Sequence, residues 1–376
     1  MPTPALTDDQ IREAVAAWHD AGKNVAAASR NIGLSENAMR NRLRHAQERG
    51  LLDDPAIQQA KAAVGTKLTP TLAWAKTKNP DGTSYSVLMR PEHLPVEDVV
   101  DRIRTALEGI DPIPAIPAPK HADSDLLTLY PIADAHIGMM AWAKETGEDY
   151  DIKIATSRLV DWVGKCVAAS PRSGTAVVLD VGDLLHADDQ TNQTPKSKHA
   201  LDVDTRHYRT VETTIATMAT AIETAAAHHG RVIVRILPGN HDMTSYMAIM
   251  FALAERYRNS PNIEVQKVPG EFFVHQFGQC LIAGHHGDKA KAERMVMFLA
   301  DHYAAIWGKT QHRYLWTGHL HHHKSADIGG VQWEQLRALT SRDAYAVAHS
   351  YTARAQLQAV TYSRFYGEVQ RVKVGL

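Results

Sequence analysis

The sequence predicts an α/β protein in which two packed sheets carry helices on their outer faces, a four-layer α/β/β/α sandwich preceded by a small three-helix unit. Three observations predict it. From residue 125 onward, apolar runs of strand character alternate with segments of helical period. The tail segments YTARAQLQAVTYS and GEVQRVKVGL change to alternation in twos, so antiparallel strands close the domain. Residues 8–50, by contrast, carry only helical spacing interrupted by glycines.

At 376 residues the chain exceeds one average domain. Four parts are expected: residues 1–52, a connecting subdomain over 53–110, a linker over 111–124, and a large domain over 125–376. A composition of 44% hydrophobic and 22% charged residues supports a sizeable core. The net charge of -1 excludes a global basic field, so any nucleic-acid binding must come from a local patch. Cys166 and Cys280 fall in an expected helix and an expected strand and form no disulfide framework, which fits a reducing cytoplasm. MPTPALTDDQ lacks an apolar signal segment, and no run approaches the roughly 18 apolar residues that cross a bilayer, so a cytoplasmic protein without a membrane span is expected.

The first helix, DDQIREAVAAWHDAG, places Ile11, Val15 and Trp18 at helical spacing and stops at Gly22. The second starts near Asn24 and ends at Gly33, where a left-handed residue closes it at no steric cost. Ser35 then caps the third, ENAMRNRLRHAQERG, whose Met39 and Leu43 face inward. Helix, glycine turn, helix resembles the DNA-binding helix-turn-helix modules of resolvases, transposases and small regulators. The third helix turns Asn37, Arg40, Asn41, Arg44 and Arg49 outward, residue types that contact base edges and phosphates. The plainer alternatives are a solvated helical bundle or an oligomerisation module.

Further on, Asn79-Pro80-Asp81-Gly82 marks a turn between two segments able to pair as a hairpin. LPVEDVVDRIRTALEGI reads as an amphipathic helix, and DPIPAIPAP, four prolines in nine residues, as a semi-rigid linker. In the large domain, strands are expected at LLTLYPIA, TAVVLDV, RVIVRILP, CLIAG and RYLWT, with helices near 152–169, 206–228, 244–258 and 288–306.

Each of those five strands runs directly into a cluster of metal-ligating residue types. The clusters are Asp134-Ala135-His136, Gly182-Asp183-Leu184-Leu185-His186, Gly239-Asn240-His241-Asp242, His285-His286-Gly287-Asp288 and Gly318-His319-Leu320-His321. A strand end holds its side chain on a rigid support, and five converging ends supply enough O and N ligands for two divalent metals sharing one carboxylate. No single cluster is strong alone; all five in this order are specific.

The order D-x-H, G-D-x-x-H, G-N-H-D, H-G, G-H-x-H over roughly residues 125–325 resembles the calcineurin-like metallophosphoesterase superfamily, whose sandwich fold is the one expected above. Residue by residue, the resemblance places one metal on Asp134, His136, Asp183 and His321. It places the second on Asp183, Asn240, a histidine of the 285–286 pair and His319. His286 fits the family's phase before glycine, with His285 as the alternative, and His322 and His323 extend the last motif without being ligands. The resemblance makes His241 the general acid or charge stabiliser at the leaving group, with Asp242 fixing its tautomer. The mixed carboxylate and imidazole set puts Mn first as the cofactor, with Fe, Zn or Mg as alternatives.

Gly-Asp-Leu-Leu-His also resembles the nuclease subunits of double-strand-break repair complexes, in which the histidine matching His186 contacts substrate near the metals; the plainer alternative is that His186 supports its loop. With the helix-turn-helix, this makes DNA the expected partner and a DNA nuclease the leading function. The loop after His186 is expected to line a groove for the nucleic-acid backbone with Lys196 and Lys198, the plainer alternative being a solvated loop. The competing readings are a small-molecule phosphomonoesterase or cyclic-nucleotide phosphodiesterase, and a DNA-binding regulator with a vestigial metal site. No counterpart of the capping and coiled-coil segments of the repair nucleases is expected within residues 125–376.

Overall fold

Three short helices open the chain: α1 (Asp8–Asp20), α2 (Val25–Asn31) and α3 (Glu36–Glu48). The computed structural model describes residues 6–48, the strands 73–78 and 84–89, and residues 116–376, which fall in two compact units, Met1–Val100 and Asp101–Leu376. In the first unit Thr7 and Gln10 form a reciprocal capping box, and Asn24 and Ser35 accept the N–H of Ala27 and Ala38 at 3.0 and 3.2 Å. Gly22 and Gly33 take the left-handed conformation that ends each helix. Ile11, Ala14, Ala28 and Met39 are fully buried and hold the three helices together. Strands β1 (Ala73–Lys78) and β2 (Ser84–Met89) pair antiparallel as the hairpin reading required, with Lys78 opposite Ser84. The expected turn at 79–82, the helix over 94–110 and Arg49 lie outside the described residues.

The second unit has two sheets. One runs β13-β12-β3-β4-β5-β6, built from β3 (Asp123–Ile132), β4 (Ser173–Asp180), β5 (Arg231–Ile236), β6 (Ile263–Val265), β12 (Gln356–Ser363) and β13 (Gly367–Gly375). Strands β3 to β6 are parallel, while β12 and β13 are the antiparallel closure that the tail's period announces. The other runs β10-β11-β9-β8-β7, from β7 (Phe273–Phe277), β8 (Cys280–His285), β9 (His312–Thr317), β10 (Lys324–Ile328) and β11 (Val331–Gln335). The helices are α4 (Ala143–Thr146), α5 (Ile152–Ala169), α6 (His207–Ala226), α7 (Tyr246–Arg256), α8 (Ala292–His302), α9 (Ala304–Trp307) and α10 (Ala344–Ala348).

Strand alternation sorts the apolar residues into three layers of core. In β4, Val177 and Leu179 face the second sheet, where they meet Ile282 and Trp316. Ala176 and Val178 face the other way, onto Val163 of α5 and Ile222 of α6. On the far side of the second sheet, Leu281, Ala283 and Leu315 pack on Met295 and Leu299 of α8. Helix, sheet, sheet, helix is the four-layer sandwich read from the sequence. Among the described residues no helix is long and apolar enough to cross a membrane.

Candidate metal centre

The carboxyl ends of β3, β4, β5, β8 and β9 lie side by side, and all five clusters follow directly on them. The loops after β3 and β4 continue the parallel pairing: His136 and Ile137 donate to the Asp183 and Leu184 carbonyls at 3.0 and 2.9 Å, and His186 donates to Ile137 at 3.1 Å. This stitching sets Asp134, His136 and Asp183 against one another. Two glycines of the motifs are required by close approach. A Cβ on Gly239 would overlap the Asp183 carboxylate, and one on Gly318 would come within 2.6 Å of an Asp134 oxygen.

Five of the expected ligands have left-handed backbone: Asp134 (φ 48°), His136 (43°), Asp183 (58°), His319 (77°) and His321 (59°). For residues other than glycine this conformation costs on the order of 1–3 kcal/mol each and gathers where the surrounding structure enforces it, chiefly at functional sites. The bonds named above hold His136 and Asp183, and the His319 N–H donates to both Asp134 carboxylate oxygens at 3.0 Å.

The side chains form two groups that meet at one atom. Asp183 Oδ2 lies 3.2 Å from His286 Nε2 and 3.9 Å from His136 Nε2, while Oδ1 accepts the His241 N–H at 2.7 Å. On one side of Oδ2, His136 Nε2 faces His321 Nε2 at 3.2 Å, and His321 faces Asp134 Oδ1 at 3.5 Å. On the other side, His286 Nε2 lies 3.0 Å from Asn240 Oδ1, and Asp183, His286 and His319 bring ligand atoms within 4.8 Å of one another. The same limit holds for Asp134, His136 and His321.

Asp134 and Asp183 are 0% and 1% exposed, and among the described residues neither meets a lysine or arginine. Buried carboxylates that face imidazoles and backbone N–H groups but no lysine or arginine need cationic charge to offset their desolvation. Two carboxylates, one amide oxygen and four imidazoles are a donor set for Mn, Fe or Zn. The residues fit two divalent cations.

The electrostatics of these side chains point the same way. Burial, reinforced by the neighbouring His241, holds His136 well below its usual range, so its imidazole is neutral. Burial also lowers His286, but the facing Asp183 carboxylate more than offsets this and raises it to about 10. Asp183 is held well below the carboxylate range: burial raises it, and His286 and His241 together outweigh that.

Within the 285–286 pair, His286 turns to Asp183 and Asn240. His285 turns away, accepting the Gly287 N–H at 2.9 Å and lying 3.6 Å from Glu271. His322 and His323 also stay outside the centre, near the Leu320 carbonyl and Glu334 respectively.

Two sequence expectations are corrected. Asp242 does not set the His241 tautomer. It is fully buried and accepts N–H groups from Gly239 (2.8 Å), Leu185 (3.1 Å) and Asp183 (3.3 Å), tying the loops after β4 and β5 together. Burial and the nearby Asp183 push it up to about 7. His241 Nδ1 donates instead to the His186 carbonyl at 2.8 Å. Nor is His186 placed to touch a substrate. Its ring is 3% exposed, its Nδ1 lies 3.2 Å from His136 Nδ1, and it stacks on His241 with centroids 5.3 Å apart. It lies against His136 and His241, and the three rings bring nitrogen atoms within 4.8 Å of one another.

The remaining candidates lie elsewhere. Lys196 and Lys198 are exposed on the loop over 187–206, which closes on itself through Leu201 N–H to the Asn192 carbonyl. Its end is pinned beside the His136 loop by Asp204 N–H to Gly138 and Met140 N–H to Asp202, both 2.9 Å. In the first unit Asn37, Arg40, Asn41 and Arg44 are exposed on α3, with Arg40 3.8 Å from Glu36 and Arg44 donating to Asn41 at 2.6 Å.

No family profile and no curated protein sequence matches the chain. Solved structures do. They include a predicted phosphoesterase from Streptococcus pneumoniae (11% identity, 67% of this chain and 98% of that one, TM-score 0.27). An archaeal phosphodiesterase matches at 10% identity over 66% and 99% of the two chains, TM-score 0.34. A dimetal phosphatase from Danio rerio matches at 11% identity over 66% and 98%, TM-score 0.34.

Proposed function

We propose that the chain is a calcineurin-like metallophosphoesterase, a dinuclear-metal-dependent phosphodiesterase that cuts DNA and is recruited to it by the N-terminal helix-turn-helix. One observation carries the chemistry: a single buried oxygen, Asp183 Oδ2, faces ligand groups on both sides. One cation would be held by Asp134, His136, Asp183 and His321, the other by Asp183, Asn240, His286 and His319, with Mn as the first candidate. When bound, two such cations supply Lewis-acid activation of a phosphoester and of the attacking water.

The chain's own groups supply the rest. A carbonyl only accepts, so the His241 proton on Nδ1 is committed to the His186 carbonyl and Nε2 is the atom that exchanges a proton. Protonated, His241 delivers that proton to the leaving oxygen. His186 fixes the His136 ring through the nitrogen that does not face the ligands, a contact of the kind that orients metal-binding histidines. The exposed Asn and Arg face of α3 supports DNA as the partner.

The test is hydrolysis by purified protein of single-stranded, duplex and branched DNA beside bis-p-nitrophenyl phosphate, with Mn²⁺ and with chelator. Chelator-sensitive cleavage of DNA and of the diester is expected. Turnover of small phosphoesters without DNA cleavage would replace the nuclease reading by the small-molecule one. Protein that binds no metal would be a regulator with a vestigial site.

A further inference from the structure

The chain between β11 and β12 has no place in the chemistry above, yet it builds a cavity of about 680 Å³ against the metal centre. His321 is part of its wall, and so are Arg337, Arg342, Arg354 and Tyr351. The volume lies within the roughly 300–1,000 Å³ of small-ligand sites. Among the described residues none of the three arginines forms an ion pair or a hydrogen bond. Two carboxylates stand nearby and keep their charge, Asp343, which caps α10 through the Ala346 N–H at 2.7 Å, and Glu148, which accepts the Ser341 hydroxyl at 2.9 Å, but neither forms an ion pair with the three arginines. Three unneutralised guanidiniums in one concavity are an anion site.

A row of rings adjoins it. The His349 ring lies between Tyr345 and Tyr351, with centroids 4.0 and 6.0 Å away and planes tilted by about 30°. His199, one residue past Lys198, continues the row 6.4 Å from Tyr345. Tyr345 and Tyr351 are 57% and 54% exposed, and neither ring belongs to a core cluster. Solvent-facing rings beside cationic side chains are how proteins hold nucleic acid whose bases present their π-faces. A duplex hides those faces inside its stack; an unpaired strand offers them.

We propose that this cavity and ring row bind an unpaired nucleic-acid strand, with its phosphates on Arg337, Arg342 and Arg354 and its bases against Tyr345 and Tyr351. The strand then enters the metal centre from the His321 side, which makes single-stranded or locally melted DNA the substrate. This rests on the phosphodiesterase reading and adds to it which form of nucleic acid is cut.

The test is fluorescence anisotropy with full-length protein in Ca²⁺, using a labelled oligothymidylate and a labelled hairpin duplex. Arg342→Ala with Arg354→Ala should weaken oligothymidylate binding at least about tenfold and lower its log–log salt slope by about 1.4, at roughly 0.7 for each phosphate neutralised. Duplex binding, carried by α3, should not change. Tyr351→Ala should cost roughly 5- to 150-fold for the single strand, and Tyr351→Phe should restore it. If the alanine pair melts early, Arg342→Gln with Arg354→Gln replaces it. Unchanged oligothymidylate affinity overturns the proposal, and so does equal loss for strand and duplex. Binding that depends on these residues without any DNA cleavage would sink the nuclease reading while leaving the strand site standing.

Discussion

Replacing Asp183 by asparagine should empty both halves of the metal centre at once. The side chain is 1% exposed, and its two oxygens have separate tasks: Oδ1 accepts the His241 N–H at 2.7 Å, and Oδ2 faces His286 and His136. Asparagine keeps an acceptor for the backbone and nearly the same volume, so the loop geometry should survive. What disappears is one buried negative charge. At 3.2 Å and an effective dielectric near 20, that charge and a protonated His286 attract by about 5 kcal/mol, and a dication in the same place gains more. Removing a group that merely supports a metal ligand costs about 10–100-fold in affinity, so loss of a shared ligand should cost at least about 100-fold at each site. The assay is metal content by mass spectrometry after gel filtration, beside single-site controls. His321→Ala should lose one metal per chain, His319→Ala the other, and Asp183→Asn both. Asp183→Asn protein that retains two metals per chain would refute the sharing of this carboxylate.

His241→Ala should leave metal content intact and slow turnover by roughly 10²–10⁴, less for nitrophenolate than for poor leaving groups; an equal loss across leaving groups would remove its role as acid. Asp242→Ala should strand three buried N–H donors and lower Tm by several degrees, at roughly 1–3 kcal/mol for each buried group left unsatisfied. An unchanged Tm together with the leaving-group pattern of His241→Ala would instead return Asp242 to the catalytic step. Metal binding near pH 8 should release a proton, because His286, raised to about 10 by Asp183, is protonated below that pH and must be neutral to ligate. Calorimetry in buffers of different ionisation enthalpy reads this directly, and a buffer-independent heat would contradict it. Arg40→Ala with Arg44→Ala should weaken duplex DNA binding and flatten its salt dependence by about 0.9 for each phosphate no longer neutralised; undiminished affinity would assign the helical unit to protein contacts.

The parallel strands were legible because burial on both faces makes them continuous apolar runs, and the candidate ligands stand out because each cluster ends such a run. Direction was not. Asp242 follows His241 in the chain and reads as its partner, but the loop turns it inward to three N–H groups, and nothing in the local pattern announces that. The left-handed backbone at Asp134, His136, Asp183, His319 and His321 was equally silent, since no glycine stands there to signal positive φ. The β10–β11 hairpin went unread although Gly329-Gly330, with φ of 54° and 80°, is a two-residue hairpin signal. Arg337, Arg342 and Arg354 form no motif. Only the path of the chain from β11 back to β12 gathers them beside His321.

The most direct measurement is an anomalous-difference map from a crystal of the protein grown with Mn²⁺. Two peaks should flank Asp183 Oδ2, one among Asp134, His136 and His321 and the other among Asn240, His286 and His319. A single peak, or two peaks that do not share Asp183, would contradict the dinuclear centre.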